Sequence, residues 1–158
     1  MNKLVLLFLF PFFLSAQGEY FELNAGVSIL DNGYWDYGPG VSALIGKRFE
    51  FDESNFLVDM QIGLAFPSIL TAKIGVGGYL DKEEKVAIIA GVRPWPLHVY
   101  AQVNLKEGVK GQWIFSVEAG GVLLDDYVGV DMYVISLESL FIANFGYRWN
   151  IGRNRFKP

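Results

Sequence analysis

Residues 56–66 read FLVDMQIGLAF, and this stretch decides the fold. Large apolar residues such as Phe56 and Met60 occupy every second position, and Asp59 and Gln61 lie between them. Side chains at alternate positions of a β-strand point to opposite faces of the sheet. The stretch therefore predicts a strand with one apolar face and one face of polar and small residues.

The same period of two recurs along the chain, and no segment of comparable length has the period of an amphipathic helix. Glycine, proline and charged residues separate the alternating segments. We predict eight strands, at residues 20–30, 41–51, 56–66, 70–77, 86–93, 97–105, 113–120 and 141–151. Successive strands with short connections favour an antiparallel sheet that closes into a barrel.

Length and composition exclude several classes of protein. The 158 residues suffice for one domain. Only 19% of them are charged, against about 25% in an average soluble domain. The net charge of −4 argues against a nucleic-acid-binding protein. The absence of cysteine excludes a disulfide scaffold and a thiolate metal site.

The N-terminal segment has the pattern of a secretory signal peptide. Lys3 supplies a positive start, residues 4–14 are apolar except for one proline, and the small residue Ala16 offers a cleavage site. The apolar run is shorter than the roughly 20 residues of a membrane-spanning helix. We therefore predict a signal peptide at 1–16 and a single exported barrel domain at 17–158.

An amphipathic eight-stranded barrel closes in one of two ways. A lipocalin-like carrier turns its apolar face inward around a ligand. An outer-membrane barrel turns the apolar face toward lipid and keeps the polar face inside. Here the polar face is rich in glycine, and its few charges nearly balance, which suits a narrow interior where each charge needs a partner. We predict that the following side chains form a polar network in the lumen: Glu22, Arg48, Glu50, Asp59, Lys73, Arg93, His98, Glu118 and Arg148.

The connections and the aromatic residues also favour the membrane. Three short charged turns are predicted on one side, at 52–55, 81–85 and 106–111, and the loops of the other side lie at 31–40, 67–69, 94–96 and 124–139. Short turns opposite some longer loops are typical of outer-membrane barrels. Aromatic residues on the apolar face, such as Phe21, Trp113 and Trp149, lie near strand ends. Belts of aromatic residues mark membrane interfaces.

The final strand resembles the C-terminal assembly signal of bacterial outer-membrane barrels, on the residues Asn144, Gly146, Trp149 and Ile151. It departs from the common form because a basic tail, residues 152–158, follows. The whole chain resembles the small eight-stranded barrels of the OmpA and OmpX type, without an appended peptidoglycan-binding domain. That resemblance implies residence in the outer membrane of a diderm bacterium and biogenesis through the barrel-assembly machinery.

A catalytic role has little support in the sequence. Some barrels of this size modify lipid A, and one such deacylase family has a serine two residues after its histidine; here Tyr100 follows His98 at that distance. One histidine without cysteine does not supply a usual zinc site. We predict no enzyme activity, no metal and no cofactor. A lipid-A-modifying enzyme and a secreted lipocalin-like carrier remain the alternatives.

The first and last loops combine aromatic residues with carboxylates and contain no lysine or arginine. Aromatic residues are enriched at binding surfaces, and clustered carboxylates can bind calcium. We predict that these loops dock another outer-membrane protein or a glycan through Tyr34, Trp35, Tyr37, Tyr127 and Tyr133. Solvated loop tips are the simpler interpretation.

Taken together, the sequence predicts an all-β fold, a closed eight-stranded antiparallel transmembrane β-barrel. Long residues such as Arg48, Arg93, Arg148 and Tyr100 would fill its lumen. Aqueous channels come with about 16–18 strands, which argues against a pore. We expect a non-catalytic accessory, structural or interaction subunit of an outer-membrane complex, in contact with outer-membrane lipid and not with nucleic acid.

Overall fold

The computed structural model describes residues 18–31, 35–51, 55–66, 68–95, 97–108, 111–120 and 139–151. Eight antiparallel strands follow one another in chain order: β1 Glu19–Asp31, β2 Trp35–Glu50, β3 Phe56–Phe66, β4 Leu70–Tyr79, β5 Val86–Trp95, β6 Leu97–Glu107, β7 Gly111–Gly120 and β8 Ser139–Asn150. Each strand pairs with the next, and β8 pairs with β1, so the sheet closes. The predicted all-β, closed, eight-stranded antiparallel barrel is confirmed. The described residues include no helix long and apolar enough to cross a bilayer.

The start of β2 corrects the predicted loop at 31–40, because the strand begins at Trp35. The residues Gly38, Pro39 and Gly40 interrupt the alternation that would have revealed the strand. They pair with β1 all the same. A Cβ atom at Gly38 would lie 3.1 Å from Leu30 Cδ1 and 3.2 Å from Ser28 Oγ, so glycine leaves room for these two side chains. Pairing with β3 begins only at Val41, which lies opposite Phe66.

Most of the remaining connections are short. The predicted connection at 67–69 lies between β3 and β4 as expected, and the turn at 81–85 joins β4 to β5. The predicted connection at 94–96 is reduced to residue 96, and the one at 106–111 is reduced to residues 108–110, because the flanking strands run further than their alternation indicated. The predicted signal peptide and the loop between β7 and β8 lie outside the described residues.

We call the end of the barrel with the three connections β2–β3, β4–β5 and β6–β7 the turn end, and the opposite end the loop end.

The distribution of side chains is inverted relative to that of a water-soluble protein. Of the described residues, nineteen buried ones are polar or charged and nine are apolar. Large apolar side chains lie outside instead, as at Ile45 and Ile62, which are both 57% exposed.

The interior also contains an apolar cluster. Leu57, Ala87 and Ile89 pack against Tyr100, with Tyr79 partly buried beside them. These residues belong to β3, β4, β5 and β6, whereas most of the charged side chains near the turn end come from β1, β2 and β8. Toward the turn end, the lumen is thus filled on one side by apolar packing and on the other by ion pairs.

Candidate functional site

A compact ionic cluster lies in the lumen toward the turn end, with Arg148 at its centre. Arg148 Nη1 lies 2.7 Å from Asp59 Oδ2, and Arg148 Nε lies 2.8 Å from Glu22 Oε2. Arg48 Nη2 lies 3.1 Å from the same Asp59 oxygen. The Tyr20 hydroxyl also donates to Asp59, and its ring lies 3.6 Å from the Arg148 guanidinium carbon. Two buried cations and two buried carboxylates therefore neutralise each other inside the barrel.

The register of neighbouring strands explains two of the ion pairs in this cluster. Glu22 and Arg148 are directly paired positions of β1 and β8. Arg48 and Asp59 are paired positions of β2 and β3. Opposite charges at such positions on one face attract each other across the strands. The contact between Arg148 and Asp59 crosses the lumen instead and links the two pairs.

Amide side chains extend the cluster along the lumen. Gln112 Oε1 accepts from Arg48 Nη1 and from Asn104 Nδ2, both at 3.3 Å. Asn104 Oδ1 accepts in turn from Gln102 Nε2 at 2.7 Å. On the other side, Asn24 Nδ2 donates to Glu22 Oε1 at 2.8 Å. The carboxylates and guanidinium groups of this first cluster thus belong to one hydrogen-bonded network.

A second ionic cluster lies toward the loop end, around Glu118. The Lys73 ammonium group and Arg93 Nη1 both donate to its carboxylate, the latter at 2.9 Å. Arg93 Nη2 also donates to the buried Ser68 hydroxyl, which draws the β3–β4 connection toward the lumen. A cavity of about 10 Å³ lies beside Thr71, Lys73 and Glu118, enough for about one water molecule.

The single histidine is buried near this second cluster. His98 Nε2 lies 2.7 Å from the Ser139 carbonyl oxygen and 3.1 Å from Ser139 Oγ. A carbonyl oxygen only accepts, so the hydrogen bond requires a proton on Nε2. With that proton in place, Nε2 cannot take another from the Ser139 hydroxyl. The geometry is that of a structural hydrogen bond rather than of an activated nucleophile.

Eight of the nine side chains predicted for the lumen network are buried: Glu22, Arg48, Asp59, Lys73, Arg93, His98, Glu118 and Arg148. Glu50 does not join them and is exposed at the end of β2, where water reaches its carboxylate. It accepts a hydrogen bond from Tyr79 there. Sequence reasoning missed Tyr20, Gln112 and Ser68 as partners. The alternation gave a signal for the first, which has the same parity as Glu22.

The residues predicted for docking are described only in part. Tyr37 is 76% exposed on β2, at the loop end. Trp35 begins the same strand. Tyr34, Tyr127 and Tyr133 lie outside the described residues.

The four residues that resemble an assembly signal, Asn144, Gly146, Trp149 and Ile151, lie on β8 or directly after it. Gly146 is buried and faces the lumen together with Asn144. Trp149 faces outward and stacks on Phe21, with ring centroids 5.8 Å apart. Ile151 follows the strand and is exposed.

Trp149 is part of an aromatic ladder on the outer wall. The ladder comprises six rings from β1, β7 and β8, namely Phe21, Trp149, Tyr147, Trp113, Phe145 and Phe115. Consecutive rings have centroids 4.8–5.8 Å apart. It extends from the turn end toward the middle of the wall.

Comparison of the chain with protein families, with curated proteins and with solved structures finds no match in any of the three. The structure itself establishes a closed antiparallel barrel of eight strands. This architecture is consistent with that of a small outer-membrane barrel.

Proposed function

We propose that this protein is an integral outer-membrane β-barrel of a diderm bacterium, with a side-chain-filled lumen and no catalytic role. The observation that carries the proposal is the inverted distribution of side chains, with an apolar outer wall around a charged interior. Exposure of so much apolar surface to water is unfavourable, whereas lipid accommodates it. Strands of 10–16 residues are long enough, since a tilted strand crosses a bilayer in about 9–11 residues.

The filled lumen argues against the carrier alternative. A lipocalin-like barrel needs an apolar chamber for its ligand. In the described part of this barrel, Leu57 and Ile89 are packed into the interior, and Arg148 crosses it to Asp59. The same side chains obstruct a water-filled path, which argues against a pore.

The environment of His98 argues against the enzyme alternative. Its Nε2 atom is engaged with the Ser139 carbonyl oxygen, and both residues are buried. A general base must reach the proton that it removes from a nucleophile or water. Without an active site, the protein would act through the contacts of its apolar outer wall and its loop end. This supports an accessory, structural or interaction subunit of an outer-membrane complex. The exposed ring of Tyr37 is suited to such contacts.

The proposal is tested by fractionation of expressing cells. Membranes are washed with urea to remove peripheral proteins, separated on a density gradient, and solubilised in mild detergent for native mass spectrometry. We expect the protein in the urea-resistant outer-membrane fraction, together with a larger partner in fixed stoichiometry. Recovery as a soluble periplasmic protein would contradict membrane insertion. Recovery in the outer membrane without a partner would contradict the subunit role.

A further inference from the structure

The ionic cluster around Glu118 differs in charge balance from the cluster around Arg148. In the latter, two cations face two carboxylates. Around Glu118, a single carboxylate accepts hydrogen bonds from both Lys73 and Arg93. The three side chains are at most 3% exposed. The described side chains of this second cluster therefore sum to one buried positive charge.

The strand register brings the two cations side by side. β4 and β5 pair with a register shift between Ala72 and Ile74, so that Lys73 lies opposite the segment formed by Arg93 and Pro94. Such a β-bulge redirects a side chain, and here both cationic side chains are buried in the lumen. Like charges on neighbouring strands repel each other. An anion next to both cations would relieve this repulsion.

Two groups that line the adjoining cavity have hydrogen-bonding capacity left. Thr71 is 3% exposed, and its hydroxyl has no hydrogen-bond partner among the described residues. The Lys73 ammonium group has three N–H bonds, and in the described part of the chain it donates to Glu118 alone. Buried donors without acceptors are unfavourable. The cavity is therefore suited to an occupant that accepts hydrogen bonds.

We propose that this cavity binds a chloride ion, with Lys73 and Arg93 as its positive partners and the Thr71 hydroxyl as a hydrogen-bond donor. A volume of about 10 Å³ admits one small species and excludes phosphate, sulfate and carboxylate groups. A water molecule would accept the same hydrogen bonds but would leave the positive charge uncompensated, which is costly in a buried site. The site lies inside the barrel, so the inference does not depend on the proposed membrane location.

The ion would connect strands that do not pair with each other. The cavity is lined by residues of β2, β3, β4, β5, β7 and β8. A Cβ atom at Gly40 would lie 3.1 Å from Ile142 Cγ2 and 3.2 Å from Asn144 Oδ1, so glycine keeps this side of the cavity open. Arg93 also donates to Ser68 in the β3–β4 connection. Bound chloride is therefore expected to stabilise the loop end of the lumen.

Thermal unfolding of the purified full chain in detergent tests the proposal. Chloride is titrated against gluconate, which is too large for the cavity, at constant ionic strength. We expect the unfolding temperature to rise and then to saturate, with a gain of about 5–10 °C at a chloride concentration about 100-fold above the dissociation constant. An unfolding temperature that does not respond to chloride, or that rises without saturation, would assign the cavity to water and overturn the proposal.

Two variants locate the ion. Thr71→Val keeps the shape of the side chain and removes the hydroxyl, so it should weaken chloride binding about tenfold. Lys73→Gln removes one charge and should abolish the chloride dependence. Lys85→Gln is the matched control, because the Lys85 side chain is 63% exposed in the β4–β5 turn, and its titration should equal that of the unsubstituted protein.

The proposal stays testable if Lys73→Gln does not fold, because an unchanged titration in Thr71→Val would place the ion elsewhere and overturn the site. Crystals grown with bromide in place of chloride give its position directly. We expect anomalous scattering beside Lys73 Nζ and Thr71 Oγ1, and a signal confined to other parts of the molecule would contradict the assignment. Recovery of the protein outside the membrane fraction would contradict the proposed function and leave the chloride site intact.

Discussion

Arg148 and Asp59 form an ion pair across the lumen, with Nη1 and Oδ2 2.7 Å apart and both side chains buried. The two residues belong to the last strand and the third strand, which do not pair with each other. Their contact therefore depends on closure of β8 onto β1. The ion pair links β8, the strand that completes the barrel, with β3, which occurs much earlier in the sequence.

Replacement of Arg148 by methionine should strongly destabilise the barrel. It leaves Asp59 and Glu22 in the lumen with one fewer cation, and loss of one partner of a buried pair costs about 3–5 kcal/mol. The measurement is the free energy of unfolding in urea, in detergent or vesicles. Lys85→Met is the control, since its pair with Glu83 is exposed at the turn end and is worth about 1 kcal/mol or less. Equal losses for the two variants would show that the cluster is not stabilising.

A charge on the outer wall should be costly in proportion to its depth. Ile62 lies near the middle of β3 and Phe56 at its end, and both side chains are exposed. Ile62→Arg should destabilise folding into phosphatidylcholine vesicles by about 2–4 kcal/mol, and Phe56→Arg by about 0–1 kcal/mol. If the wall instead faced water, Ile62→Arg would be tolerated and would improve solubility without detergent.

The β4–β5 turn should loosen in acid. The Asp81 carboxylate accepts backbone hydrogen bonds from Val86 at 2.8 Å and from Lys85 at 3.0 Å. These bonds, chiefly that from Val86, hold the pKa of Asp81 below its ordinary value. A lowered folded-state pKa means that the stabilisation is present above the unfolded-state pKa and is lost as the pH falls through the folded-state value.

Hydrogen exchange measures this effect directly. After correction for intrinsic rates, protection of the Val86 amide should fall as the pH drops through the titration of Asp81. In Asp81→Asn, which does not titrate, the same amide should show no such step. Protection that is unchanged by acid in the unsubstituted protein would contradict the role of the carboxylate.

Replacement of His98 should affect stability and leave lipid A unchanged. His98→Ala removes the donor to the buried Ser139 carbonyl oxygen, and such an unsatisfied group costs about 1–3 kcal/mol. Mass analysis of lipid A from cells with and without the variant should give identical acyl compositions. His98→Gln retains a donor and serves as the control for stability. Altered acylation in the alanine variant would restore the enzyme alternative.

The alternation along the chain was sufficient to predict the number of strands and which side chains share the interior. It failed at the start of β2, because Gly38 and Gly40 have no side chain that would mark the inner face and Pro39 is typical of turns. It also failed at Glu50, since parity does not distinguish a residue deep in the lumen from one at the end of a strand. Alternation indicates the face on which each residue lies, but it does not indicate where a strand begins or ends.

Pairing inside the lumen was less predictable still. Glu22 and Arg148 have matching parity, but their contact depends on the register of β1 against β8. The hydrogen bond between Arg93 and Ser68 depends on the path of a connection that has no alternation. Such contacts are set by the diameter and stagger of the closed barrel, which no single strand encodes.

The early start of β2 makes the loop end of the barrel uneven in height. Residues 35–40 extend past the end of β3 with β1 beside them, an arm about 20 Å long at about 3.3 Å per residue. If the barrel lies in the outer membrane as proposed, with its loop end outside, the exposed Tyr37 on this arm faces a molecule that approaches the cell. The described part of the loop end is therefore asymmetric, and a partner bound to this arm would be held in one orientation about the barrel axis.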